Sequence, residues 1–118
     1  MRDDSEKIAK ICECIERIEI CAADGKDNFL SDWRTQDIIA RNFQVIGQAV
    51  KDLSQGLRDH NPDVPWRDVA RFRDRVAHDY FDLDLGKVWG IIDKDLPSLK
   101  KQIERIDREF RERPQTET

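Results

Sequence analysis

Apolar residues recur at intervals of three and four along four stretches of this chain, the spacing that places them on one face of an α-helix. No stretch alternates apolar and polar residues for long enough to predict a strand. Gly25 suits the end of the first helix. Ser31 or Asp32 can cap the second, which Gly56 should close. The apolar positions are Ile8, Ile11, Ile15, Ile18 and Ala22 in the first stretch, and Ile39, Phe43, Ile46, Val50 and Leu53 in the second.

Two prolines precede the third helix. Pro62 and Pro65 each lack an N–H and move the preceding residue out of the helical region, so the segment from Leu57 to Pro65 is predicted to be a connection. Pro65 or Trp66 then begins a short third helix, and Tyr80 lies on the extension of its apolar stripe. The apolar positions of that stripe are Trp66, Val69, Phe72 and Val76.

The fourth helix is predicted to be the longest. Asp84 can cap it, and its apolar stripe continues in register to Phe110. Pro97 lies inside it and should kink it, because the proline ring clashes with the preceding turn and one backbone hydrogen bond is lost. The stripe comprises Leu85, Val88, Trp89, Ile92, Leu96, Leu99, Ile103, Ile106 and Phe110.

Four amphipathic helices with short connections predict an all-α fold, an antiparallel four-helix bundle with a long kinked C-terminal helix. The 118 residues correspond to one domain, which we place at residues 1–110, with a flexible tail over 111–118. Ile38, Val45 and Ala49 form a second apolar stripe on the second helix. This stripe indicates a surface for a partner.

Charge narrows the possible partners. The chain has 21 basic and 25 acidic residues, a net charge of −4, which excludes a protein that binds nucleic acid through bulk positive charge. Any contact with nucleic acid must therefore be local. The first ten residues are too charged for a signal peptide, and no run approaches the ~20 apolar residues of a membrane span. We expect a cytoplasmic protein without membrane contact.

The cysteines do not predict a disulfide or a metal site. Cys12, Cys14 and Cys21 are an odd number, and Cys14 and Cys21 would lie ~10 Å apart on a helix, beyond the reach of a bridge. The only histidines, His60 and His78, are far away in sequence, and no CxxC pair exists. We therefore expect small buried thiols and no bound metal.

The segment from Trp66 to Tyr80 is the candidate for chemistry. Four arginines occur within nine residues, and on a helix Arg71, Arg75 and His78 project to one side, whereas Arg73 lies beside the apolar stripe, nearly in line with Tyr80. Guanidinium groups bind phosphate oxygens, and an imidazole moves protons near neutral pH. Purely structural roles are the alternative: Arg73 pairs with Asp74 or Asp79, His78 caps the helix end, and Tyr80 belongs to the core.

The spacing Arg73-x4-His78-x-Tyr80 resembles the Arg-x4-His-x-Tyr motif of the HepT-like family within the HEPN (higher eukaryote and prokaryote nucleotide-binding) superfamily. The similarity extends from the first helix to about Ile106. Two positions depart from the family pattern, which often has Asn where this chain has Asp74 and Glu where it has Gln48. Other similar segments are Val45-Ile46-Gly47-Gln48-Ala49, Val64-Pro65-Trp66, Tyr80-Phe81-Asp82-Leu83-Asp84-Leu85, Val88-Trp89 and Asp95-Leu96-Pro97.

This resemblance implies a homodimer whose motif helices meet near a twofold axis and form a composite groove. Such a groove answers a geometric difficulty, because Arg73 and His78 are ~140° apart around an ideal helix and diverge unless the helix ends between them or the site joins two chains. The resemblance further implies a metal-independent endoribonuclease, the toxin of a toxin–antitoxin pair, without a cofactor. His78 would act as general base or acid, and Arg73 would stabilise charge on the phosphorane. Arg71 and Arg75 are candidate contacts to the RNA backbone, and Tyr80 would bind phosphate or stack on a base.

The family also implies an antitoxin, a cognate minimal nucleotidyltransferase that modifies the motif tyrosine with AMP. Tyr80 would be the acceptor, and an added phosphate beside Arg73 would block the groove. The alternative function is a non-catalytic HEPN subunit that binds a nucleotide or docks onto the nucleotidyltransferase. The absence of RNA cleavage and of growth arrest would favour this alternative.

Overall fold

The computed structural model describes residues 2–113, and no strand occurs among them. Two single turns of other helix types occur, a 3-10 turn over Tyr80–Asp82 and a π turn over Ile91–Asp95, which joins the last two helices. The α-helices are α1 (Arg2–Ala22), α2 (Lys26–Ser31), α3 (Trp33–Asp52), α4 (Gln55–His60), α5 (Trp66–His78), α6 (Leu85–Gly90) and α7 (Leu96–Glu112).

The long helices form the predicted all-α antiparallel bundle. Helix α3 is central and packs against α1 on one side and α5 on the other, and α1 also packs against α7. Asp4 at the start of α1 binds Ser54 just after α3, so α1 and α3 run in opposite directions. The ion pair of Glu19 with Lys100 joins the end of α1 to the start of α7. Most of the fully buried side chains come from the predicted stripes, and Phe29 and Cys14 are the others: the stripe residues are Ile8, Ile11, Ile15, Ile18, Ile39, Ile46, Val76, Ile103 and Ile106.

Local signals set the helix ends. Gly25 has a φ of 93°, a left-handed conformation that glycine adopts without strain, as its predicted place at a helix end requires. Asp32 caps α3, since its side chain accepts from the N–H of Arg34 at 3.0 Å. Asp84 caps α6 in the same way, accepting from the N–H of Lys87 at 3.2 Å.

Two short helices were not predicted. α2 lies in the expected loop and is fixed by Phe29, which is only 1% exposed. α4 occupies much of the predicted connection, because Ser54 begins a new helix by accepting from the N–H of Leu57 at 3.2 Å. The prediction that Gly56 closes the second helix is therefore wrong, since α3 ends at Asp52 and Gly56 lies within α4.

The C-terminal helical segment changes register just before Pro97. The N–H of Leu96 donates to the carbonyl of Ile91, five residues back, which closes the π turn. Pro97 has no N–H to continue the ladder, so the predicted disruption takes the form of this π turn. α7 then continues to Glu112, beyond the predicted boundary at residue 110. Residues 114–118 of the predicted tail lie outside the described residues.

The second apolar stripe of the central helix is smaller than predicted. Ala49 is 8% exposed and belongs to the core, which leaves Ile38, 48% exposed, and the half-buried Val45 at the surface. Cys14 is buried, and Cys12 and Cys21 are half-buried free thiols. Within residues 2–113, no helix is long and apolar enough to cross a membrane.

Candidate functional site

Arg73 lies where α5 packs tightly against Gly47 of α3. A Cβ placed on Gly47 of α3 would be 2.0 Å from the Cβ of Arg73 and 2.6 Å from its Cγ. Real side chains do not approach so closely, so only glycine permits this crossing. The backbone contact therefore fixes the start of the Arg73 side chain and directs the rest of it along the surface of α3.

A carboxylate holds the far end of the same side chain. Asp74 accepts through one oxygen, Oδ1, from the Arg73 Nη1 at 3.1 Å and from the Lys51 Nζ at 2.5 Å. The hydrogen bond from Lys51, and after it that from Arg73, lowers the pKa of Asp74 below its ordinary value. Arg73 thus pairs with Asp74, the first of the two structural partners considered from the sequence. Lys51 balances the charge that Asp74 adds next to the guanidinium.

Arg73 also opens onto a pocket. With Arg41, Gln44, Val45 and Gln48 of α3 it lines a cavity of about 250 Å³. The Arg73 Nε is buried without a hydrogen-bond partner among the described residues, and the whole side chain is 26% exposed. The buried Nε is not accessible, so an anion in this pocket would bind through the exposed part of the guanidinium.

His78 lies elsewhere on the same helix. It is exposed, and none of the hydrogen bonds or ion pairs within the described residues involves its imidazole. Arg71 and Arg75 are exposed as well, in agreement with the predicted outer side of α5. Because α5 continues without interruption from Trp66 to His78, a single chain does not bring Arg73 and His78 together.

The sequence pattern placed Tyr80 on an extension of the apolar stripe of α5, but the helix does not reach this residue. α5 ends at His78, and Asp79, with φ −120° and ψ 31°, leaves the helical region. Tyr80 then lies in the 3-10 turn, half-buried, with its ring centroid 5.1 Å from that of Phe81, which is 95% exposed. It lines a cavity of about 420 Å³ whose walls include Phe29, Trp33, Phe43, Phe72 and Val88.

Sequence reasoning missed the residues that position Arg73. Gly47 lies in one of the segments that resemble the HepT-like family, which is the only signal that marks it. Lys51 and Arg41 had no signal, because nothing in the periodicity of α3 indicates which helix packs against each face. No group of three His, Cys, Asp or Glu side chains in the described part of the chain is placed to hold a metal ion.

Comparison with known proteins agrees with the motif. A family model described as "Ribonuclease HepT-like" matches residues 11–106. The chain is 37% identical to "Probable ribonuclease HepT" of Thermococcus cleftensis, over 89% of this chain and 94% of that protein. It is 33% identical to a "Putative RNase" of Caldanaerobacter subterraneus subsp. tengcongensis, over 86% and 88% of the two chains.

A third relative is longer. The "Gamma-glutamylcyclotransferase and putative RNase" of Methanocaldococcus jannaschii is 37% identical over 85% of this chain, which spans only 46% of that protein. No solved structure matches the chain. The similarity is thus to proteins named as ribonucleases, and it includes the whole of α5.

Proposed function

Because the chain belongs to the HepT-like ribonuclease family, we propose that it is the RNA-cleaving toxin of a toxin–antitoxin pair. Its enzymatic activity is that of the family, an endoribonuclease acting on RNA. The observation that carries the finer proposal is the contrast on α5: Arg73 is held by Gly47 and Asp74, whereas His78 is exposed and free of hydrogen bonds within the described residues. Arg73 is held in place to bind negative charge, and His78 is accessible to transfer a proton. The site of action would be the cytoplasm.

The site is proposed to form between two copies of the chain. Arg73 and His78 diverge on an uninterrupted helix, so a twofold axis beside α5 is the simplest way to place both kinds of group around one cleft. The symmetric arrangement supplies two guanidinium groups and two imidazoles. It also places the exposed Arg71 and Arg75 along the rim, where they would contact the RNA backbone.

Cleavage in this cleft would be a transesterification. One His78 takes the proton of a ribose 2′-hydroxyl, whose oxygen attacks the adjacent phosphorus, while the bond from phosphorus to the 5′ oxygen breaks. The second copy of His78 donates a proton to that departing oxygen. The products are a 2′,3′-cyclic phosphate and a 5′-hydroxyl, and Arg73 stabilises the charge on the phosphorane.

Tyr80 is proposed as the site of neutralisation. In the proposed reaction, the antitoxin, a minimal nucleotidyltransferase, transfers AMP from ATP to the Tyr80 hydroxyl, which loses its proton as pyrophosphate departs. Support comes from the position of Tyr80 two residues after His78, in a turn outside α5 and half-exposed to solvent. The added phosphate would bind cations of the cleft and exclude the RNA.

A non-catalytic role is the second candidate, and the Arg73–Asp74 ion pair favours it. The pair occupies part of the guanidinium and places a carboxylate next to the position proposed for phosphate. In that case the chain would dock onto the nucleotidyltransferase without the RNA cleavage that its family membership indicates.

The two candidates separate in cells that lack the antitoxin. We expect wild-type protein to arrest growth and cleave RNA, His78→Ala to do neither, and His60→Ala to behave as wild type. His60 is the matched control, since it is also exposed and lies at the end of α4, outside the motif helix. A harmless wild-type protein that cleaves nothing would contradict the toxin proposal and favour the docking role.

Mixing experiments test the shared cleft. If each site uses both copies of His78, cleavage in mixtures of wild type and His78→Ala should fall with the square of the wild-type fraction after subunit exchange. Independent sites would give a linear decrease. A monomeric mass in light scattering, with full activity, would contradict the composite site.

A further inference from the structure

A groove on the surface crosses three helices and ends at Arg73. One part, of about 560 Å³, is lined by Lys10 and Arg17 of α1 and by Arg41 and Val45 of α3. Arg41 and Val45 also line the 250 Å³ pocket that contains Arg73 of α5. The two cavities are therefore adjacent and share these two residues, and we refer to them together as the α1–α3–α5 groove.

Cations dominate the lining of this groove. Lys10, Arg17, Arg41 and Arg73 line it, whereas Asp37 is the one carboxylate that does so. This local excess is notable in a chain whose net charge is −4, because nucleic-acid binding by such a chain requires a local concentration of cations.

Ion pairs at the surface of the helices compensate part of this charge, including the pair of Arg73 with Asp74. Glu13 pairs with Arg17 at 2.5 Å and with Lys10 at 3.9 Å. Arg41, at the centre of the groove, is exposed and forms no ion pair within residues 2–113. Its guanidinium is therefore free to bind an external anion.

The remaining lining suits a polynucleotide better than an isolated ion. Gln44 and Gln48 present carboxamides next to Arg73, and Gln48 donates to Asp52 at 3.2 Å, which leaves its carbonyl oxygen as an acceptor. Ile38 and Val45 add an apolar strip. A nucleic-acid strand presents phosphates together with sugars and bases, and a lining that has cationic, amide and apolar groups can contact all three.

We propose that the α1–α3–α5 groove binds the backbone of single-stranded RNA and leads it to Arg73, with Arg41 as the central phosphate contact. This inference rests on the proposed function, because it identifies Arg73 as the end of the path. It assigns substrate-binding roles to residues outside the motif helix, namely Arg41 and Arg17. Arg41 acts in binding and not in the chemical step.

The test is the salt dependence of binding to a 2′-O-methyl RNA oligonucleotide, which lacks the hydroxyl needed for cleavage. Loss of one phosphate contact lowers the slope of log K against log salt by about 0.7 for a single strand. We expect Arg41→Gln to show this change and to bind about tenfold more weakly at low salt. Arg17→Gln should act in the same direction, and thermal unfolding of both variants should match wild type.

Arg108→Gln is the matched control, since Arg108 is an exposed arginine of α7 that lines neither part of the groove. Equal salt slopes for Arg41→Gln and Arg108→Gln would overturn the proposal. So would dissociation of an oligomer by Arg41→Gln with an unchanged slope, because the groove would then be an interface between copies. Cleavage of all-ribose RNA is measured separately, so loss of the groove and loss of ribonuclease activity are distinguishable.

Discussion

Gly47 and Arg73 are in contact where α3 crosses α5, and a Cβ on residue 47 would lie 2.0 Å from the Arg73 Cβ. The position of a proposed active-site guanidinium therefore depends on a glycine in another helix. Asp74 then fixes the end of the side chain, and Lys51 holds Asp74. Substitutions at these positions are expected to affect Arg73 without replacing it.

Gly47→Ala should displace α5 from α3. The methyl group would meet the Cβ of Arg73, which the backbone fixes, as well as its Cγ, so we expect a loss of about 1–3 kcal/mol in the free energy of unfolding. RNA cleavage should fall more steeply than stability, because the guanidinium moves with the helix. Urea unfolding and cleavage rates under folding conditions measure the two effects.

Gly90→Ala is the control for that experiment. Gly90 is helical, with φ −58° and ψ −38°, and a Cβ there would meet nothing within 4 Å. We expect equal or slightly higher stability and unchanged cleavage, since alanine favours the helix. Equal losses at the two glycines would show that close packing at Gly47 is not the cause.

Substitutions of Asp74 should separate positioning from charge. Asp74→Asn keeps an oxygen that can accept from Arg73 but removes the negative charge, so we expect a lower KM for RNA and little change in kcat. Asp74→Leu removes the acceptor and should lower kcat about tenfold or more. Thermal unfolding should change little, because both ion pairs are at least partly exposed to solvent. Identical kinetics of the two variants would contradict a positioning role for Asp74.

The Asp4 carboxylate should make stability dependent on pH. Asp4 is only 4% exposed and accepts from the Ser54 hydroxyl at 2.6 Å and from its N–H at 3.0 Å. Burial raises the pKa of Asp4, but the hydrogen bonds from Ser54 outweigh it and leave that pKa below the ordinary value. The contribution to stability is therefore present above the unfolded pKa, about 3.9, and is lost as the pH falls through the folded value.

Asp4→Ala tests this pH dependence. At pH 7 the substitution should cost about 1–3 kcal/mol in urea unfolding, and the difference from wild type should shrink at about pH 2 to 3. Asp3→Ala is the matched control, since Asp3 is exposed one residue earlier. A difference that stays constant from pH 7 to the acid range would contradict the role assigned to the ionised carboxylate.

Cys12 should react slowly in the folded protein. Burial, and after it the carboxylates of Asp107 and Glu104, raise the pKa of Cys12 to about 11. Little thiolate is present at pH 8, so alkylation by iodoacetamide should be at least about tenfold slower than for a free thiol. Mass spectrometry of the labelled peptides gives the rate, and the unfolded chain in urea is the control. Equal rates in the folded and unfolded chains would contradict the prediction.

The main helices could be predicted because their signals are local. The stripes that begin at Ile8 and Ile39 place their residues in the core, and Asp32 and Asp84 cap helices as expected. α2 and α4 could not be predicted, because six residues carry no periodic stripe. Each is stabilised by contacts distant in sequence, such as the burial of Phe29 and the cap at Ser54 that also binds Asp4.

The candidate site also has one part that the sequence predicts and another that depends on tertiary contacts. The sequence alone determined the spacing of Arg73 and His78, their divergence around one helix and their likeness to a ribonuclease motif, since these depend only on residue order and helical geometry. Tertiary structure alone decided that Gly47 lies under Arg73, that Lys51 reaches Asp74 and that Arg41 continues a cationic groove. Those contacts depend on which helix faces meet, and the helical repeat of each segment does not specify its neighbour.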